Sequence, residues 1–90
     1  MHINYDWDEE KRQRTLAERG VDFAEAAGFE WETALIVGDK RRDYGEPRFR
    51  ALGLIKGRLY AMVFTPRGDM VRIISLRKAN ARELKLWTKS

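Results

Sequence analysis

No cysteine occurs among the 90 residues, which excludes disulfides and thiolate metal sites. Histidine is almost as scarce: His2, beside the N-terminus, is the only one. A zinc centre or a histidine-based acid–base pair therefore has no side chains to draw on. The one serine expected within a strand, Ser75, has no histidine to activate it as a nucleophile. No apolar run approaches the roughly 20 residues needed to cross a bilayer, and no secretory leader is visible. A cytoplasmic location, with no membrane association, is expected. No cofactor motif is present, and neither cofactor nor metal is expected.

Acidic residues are scarce in one half only. Residues 1–46 carry 7 Lys/Arg against 12 Asp/Glu, while residues 47–90 carry 11 against 2. Asp69 and Glu83 are the only acids in that basic half. Such a surplus generates a positive surface that attracts phosphates or an acidic partner. The plain alternative is a basic protein with scattered surface charge. Ninety residues make one domain, 1–90, whose core buries only about 60–65% of the unfolded chain's surface.

Asp8 reads as an N-cap with Glu9 and Glu10 in the first turn. That helix runs to Arg19 and ends on Gly20. Asp22 and Glu25 form a capping-box pattern for a second, short helix to about Ala27 or Gly28. Residues 33–38 read as a first strand, and 39–47 as a polar loop. Strands at 48–55, 58–65 and 70–77 follow, joined by turns at Lys56-Gly57 and at Pro66–Asp69. Short connections imply antiparallel hairpins. A C-terminal helix spans about Ala79 to Thr88. The expected fold is α+β: two N-terminal helices, a four-stranded antiparallel sheet and a C-terminal helix, with the helices mostly on one face.

Period-two alternation in 70–77 puts Met70, Arg72, Ile74 and Leu76 on one face and Val71, Ile73, Ser75 and Arg77 on the other. Arg48 and Arg50 share a face of their strand. Arg72 interrupts an apolar strand, and it is costly to bury unpaired. Two readings stay open: an ion pair with Glu46 or another acid of the first half, or a bidentate phosphate ligand in a basic groove. Arg77 and Lys78 sit at the strand-to-helix junction, where backbone N–H groups would assist an anion site. Arg67 lies at a hairpin tip. Tyr44 could stack on a base, and Glu46 could orient an arginine or accept a proton. Lys40–Arg42 read as a solvated charge run.

Three stretches carry a family resemblance: 5–27, with W-D-x-x-K at Trp7, Asp8 and Lys11 and G-V-x-F from Gly20; the spacing of Asp43, Glu46 and Arg48; and 57–83, with R-I-I-S-x-R-K-A from Arg72 to Ala79. Nearly the whole chain resembles the BrnT family, toxins of type II toxin–antitoxin systems. The resemblance implies a fold related to RelE-type toxins, RNA cleavage and arrest of translation. It also implies neutralisation by a BrnA-type antitoxin in a heterotetramer built around an antitoxin dimer, with DNA reached only through the antitoxin. The chain departs from the family pattern at Thr15, Glu18-Arg19, Leu76 and Trp87, where Asn, Lys-His, Ala and Tyr are usual.

On this reading Arg72, Arg77, Glu46 and Lys78 form the catalytic set, and Arg48, Arg67, Tyr44 and Arg50 bind RNA. The alternative is a non-catalytic basic module that binds an acidic protein or nucleic acid.

Overall fold

Alternation of apolar and polar residues builds the sheet, and the computed structural model describes it over residues 3–90. His2 lies outside the described residues. Five strands form one mixed sheet: β1 Asn4–Trp7, β2 Leu35–Gly38, β3 Phe49–Ile55, β4 Arg58–Arg67 and β5 Met70–Lys78. Their spatial order is β1-β5-β4-β3-β2. The expected four-stranded antiparallel sheet is thus corrected by one strand. β1 pairs in parallel with β5, from Asn4↔Met70 to Trp7↔Ile73, while the other pairings are antiparallel.

The helical elements also differ from expectation. Helix α1, Glu9–Arg19, begins on Asp8, whose side chain accepts from the N–H groups of Glu10 and Lys11. It ends on Gly20 in the left-handed region at φ 68°. The second element is not an α-helix but a 3₁₀ segment, Phe23–Gly28, followed by another at Trp31–Thr33. Its Asp22/Glu25 capping box is present. At six residues the first segment is longer than most 3₁₀ runs. Helix α2, Ala81–Thr88, starts with a second capping box between Asn80 and Glu83.

One sheet face carries the core. Phe23 and Ala26 of the first 3₁₀ segment, with Phe29 just after it, pack on Ala51, Met62, Phe64, Ile73 and Leu76, with Tyr5 and Trp7 at the β1 edge. Trp31 stacks edge-on against both Phe29 and Phe64. α1 buries no residue; a two-pronged Arg12–Asp22 pair ties it down at 2.7 and 3.0 Å. α2 lies on the opposite sheet face, where Leu84 and Trp87 line a shallow pocket with Leu54 and Leu59. The helical elements therefore occupy both faces, not mostly one.

The β3–β4 hairpin turns on Lys56 and Gly57, both at positive φ, as a two-residue hairpin demands. Pro66 and Arg67 stay in β4, opposite Val71 and Met70, so the β4–β5 turn is shorter than expected. Gly53 faces the Phe29 ring, and a Cβ there would lie 2.4 Å from Cζ. Gly53→Ala should destabilise the protein by about 1–3 kcal/mol through overpacking, read as a drop in urea midpoint at unchanged slope.

Candidate nucleic-acid interface

The register of β5 shifts within the strand. Val63 faces Ser75 and Phe64 faces Ile73, which leaves Ile74 as an extra residue. This bulge cancels simple alternation. Ile73 and Leu76 both enter the core. Arg72, Ser75 and Arg77, opposite Thr65, Val63 and Ala61, share the other face. The expected separation of Arg72 from Arg77 is thereby corrected. Arg50 of β3, opposite Val63, joins them.

Beside α2 this face holds a groove of about 230 Å³. Arg41, Arg50 and Arg77 line it, with Ser75, the carboxylate of Glu83 and an apolar floor that includes Leu52 and Ala61. Arg77 grips Glu83 with two parallel bonds, Nη1–Oε1 at 2.8 Å and Nη2–Oε2 at 2.7 Å. Glu83 Oε1 also accepts from the Asn80 N–H at 2.9 Å. The Arg77 hydrogen bonds hold the Glu83 carboxyl below its ordinary 4.5.

The loop entering β3 is pinned by Asp39, whose side chain has no exposed surface. Asp39 accepts from Arg41 Nε and Nη2, both at 2.7 Å, and its N–H donates to the Arg48 carbonyl at 2.8 Å. The Arg41 guanidinium holds the Asp39 carboxyl far below the usual carboxylate range. Arg50 has no carboxylate partner among the described residues; its charge adds to the positive field at both Asp39 and Glu83.

A second cluster sits at the same loop. The Arg48 guanidinium lies 4.1 Å from the Tyr44 ring centre. Glu46 accepts from Arg48 at 3.4 Å and from Arg67 at 3.3 Å. Lys11 of α1 is half-buried near Arg48, and desolvation, then repulsion by Arg48 and Arg14, pulls its amine downward.

Arg72 donates to Asp6 Oδ2 at 2.6 Å, so the ion-pair reading with a first-half acid describes it, though the partner is Asp6 rather than Glu46. The Lys78 side chain is exposed at the strand end. Six of the eight expected site residues thus fall into two clusters: Arg50 and Arg77 at the groove, and Tyr44, Glu46, Arg48 and Arg67 at the loop. Arg72 is paired at the β1 edge, and Lys78 stands apart.

Asp39, Arg41 and Glu83 are contributors that sequence reasoning passed over. Their signals were the Asn80/Glu83 capping box and an Asp two residues before an Arg. Among the described residues no three His, Cys, Asp or Glu side chains gather as a metal site would need, and no helix is long and apolar enough to cross a membrane.

A family model described as "Ribonuclease toxin, BrnT, of type II toxin-antitoxin system" matches residues 7–83. The chain belongs to the BrnT family. No curated protein and no solved structure matches it. The BrnT match spans β1's Trp7 through Glu83, and so takes in every residue of both clusters. Membership indicates a ribonuclease toxin of a type II toxin–antitoxin system and implies an antitoxin as partner.

Asp6, Asp22, Asp39 and Glu83 all have lowered carboxyl pKa values because arginines hydrogen-bond to them. A folded-state value below the unfolded one contributes stability that is present above about pH 5 and is lost as pH falls through the folded values. Melting temperature should therefore fall steadily from pH 5 toward pH 2. In Asp39→Asn that acid slope should be shallower, with a lower plateau at pH 7. An unchanged slope would separate Asp39 from acid unfolding.

Proposed function

We propose that this chain is a single-domain, metal-independent endoribonuclease that acts in the cytoplasm and arrests translation by cleaving RNA. The observation that carries the reading is the convergence of Arg41, Arg50 and Arg77 on one groove with an apolar floor. Guanidinium groups take phosphoryl oxygens in pairs, and the floor accepts a ribose or base. RNA is distinguished from DNA by its 2′-OH, which is also the nucleophile available to an enzyme with no cysteine and no histidine in its site.

In this mechanism the 2′-OH attacks the adjacent phosphorus. Arg77 and Arg50 neutralise the charge growing on the phosphoryl oxygens, an effect worth about 10²–10³ in rate per donor in comparable anion holes. Arg72, on the same face, and Lys78, next to Arg77, hold flanking phosphates. Arg48 and Arg67, fixed by Glu46, guide the strand past the loop, and Tyr44 backs Arg48 by cation–π contact. A BrnA-type antitoxin, which alone contacts DNA, joins the toxin in a heterotetramer built around an antitoxin dimer and silences it by covering the basic face.

One observation favours the other reading, a binding module without catalysis. Arg41, Arg48, Arg67, Arg72 and Arg77 are each already paired with a carboxylate. Such a module would bind RNA in a salt-dependent way and leave it intact.

RNA integrity after incubation with the purified protein in excess EDTA separates the two. Cleavage should persist with chelator. Arg77→Ala should cut the rate at least about 100-fold. Arg50→Ala should weaken binding and lower the salt slope by about one. Growth arrest with intact RNA would sink the nuclease reading, and Arg72→Ala at the wild-type rate would remove Arg72 from the mechanism.

A further inference from the structure

A nuclease built on this groove needs a group to take the 2′-OH proton, and the described carboxylates can be compared one by one. Glu46 is held between Arg48 and Arg67 and does not line the groove. Asp39 is fully covered beneath Arg41. Asp6 lies at the β1 edge with Arg72. Glu83 is the only carboxylate lining the groove.

Its two oxygens are not equivalent. Oε1 accepts from both the Asn80 N–H and Arg77 Nη1, whereas Oε2 accepts only from Arg77 Nη2. A carboxylate oxygen offers two lone-pair sites, so Oε2 keeps one for a substrate hydroxyl.

We propose that Glu83 is the catalytic base of the ribonuclease reaction, with Oε2 as the accepting atom. The inference rests on the nuclease reading above. The 2′-OH proton passes to Oε2 as O2′ forms its bond to phosphorus. The P–O5′ bond breaks, the departing 5′ oxygen takes a proton from a water molecule, and the hydroxide left takes the proton from Oε2, which restores the carboxylate. The products are a 2′,3′-cyclic phosphate and a 5′-hydroxyl. Arg77 links the two halves of the step. When its N–H groups turn from Glu83 to the phosphoryl oxygens, they stabilise the developing charge and release the carboxylate that they had kept weakly basic. Substrate binding thus switches on the base, so that Glu83 is held inert in the free protein.

The test uses the full chain and a 5′-labelled single-stranded RNA oligonucleotide, with single-turnover cleavage and equilibrium binding measured separately. Glu83→Gln preserves the capping box, because Gln serves at that position as well as Glu, but it removes the basic oxygen. Cleavage should fall at least about 100-fold, within the range for general-base loss, while Kd changes less than about threefold. Glu83→Asp, which keeps a carboxylate, should retain at least tenfold more activity than Glu83→Gln. Glu46→Gln should lose less than Glu83→Gln. Glu83→Gln cleaving within threefold of wild type, or Asp and Gln variants losing activity equally, would overturn the assignment and leave the nuclease reading intact. Wild-type protein that leaves the oligonucleotide whole would overturn both.

Discussion

The extra residue at Ile74 organises this protein. Ile73 and Leu76 are three positions apart, yet both lie in the core at 2% and 1% exposure. A regular strand cannot put both on one face, because its side chains alternate. The bulge resolves that conflict, and in doing so it swings Arg77 onto the face that already holds Arg72. Core packing and the gathering of guanidinium groups are thus one geometric event. A β5 without its bulge would have to give up either Leu76 to solvent or Arg77 to the core.

Carboxylates then fix what the bulge has gathered. Each arginine in a polar strand environment is long and costly to order, and each pair made before substrate arrives reduces the freedom lost on binding. Asp39 is the firmest of these anchors: it joins Arg41, the Tyr44 hydroxyl and the start of β3 into one unit. Glu83 does the same for the β5–α2 junction. The arrangement leaves Arg50, which also lines the groove, without a carboxylate partner among the described residues.

Much of this was readable in the chain. The Asp8 cap, the Gly20 ending, the Asp22/Glu25 box, the Lys56-Gly57 hairpin and the three long strands each follow from local chemistry, and each is in place. β1 was not readable. It is four residues long, it contains Asp6, and its partner strand lies 66 residues away at the Asp6–Arg72 contact. Nothing local announces such a pairing. The 3₁₀ segment differs from an α-helix by one residue in hydrogen-bond spacing, which capping residues do not encode. The bulge was hidden because period two leaves both faces of 70–77 mixed, with an arginine on each, and does not say where the register shifts; only the competition for core space reveals it. Arg50 and Arg77 were singled out from charge and position, whereas their neighbours in the groove were not: Arg41 was read as part of a solvated charge run, and Glu83 was given no role.

β1's place at the sheet edge carries a temporal consequence. It is the first described strand to be synthesised, and it must wait for β5 before it can pair. The groove waits longer still, since Glu83 follows every other residue that lines it except Leu86. Folding of such long-range pairs is slow relative to local hairpins. During translation the nascent chain therefore carries its basic strands before it carries a finished cleft. Members of a ribonuclease toxin family are made on a machine built of RNA, and in this chain the groove stays incomplete until Glu83 has been made.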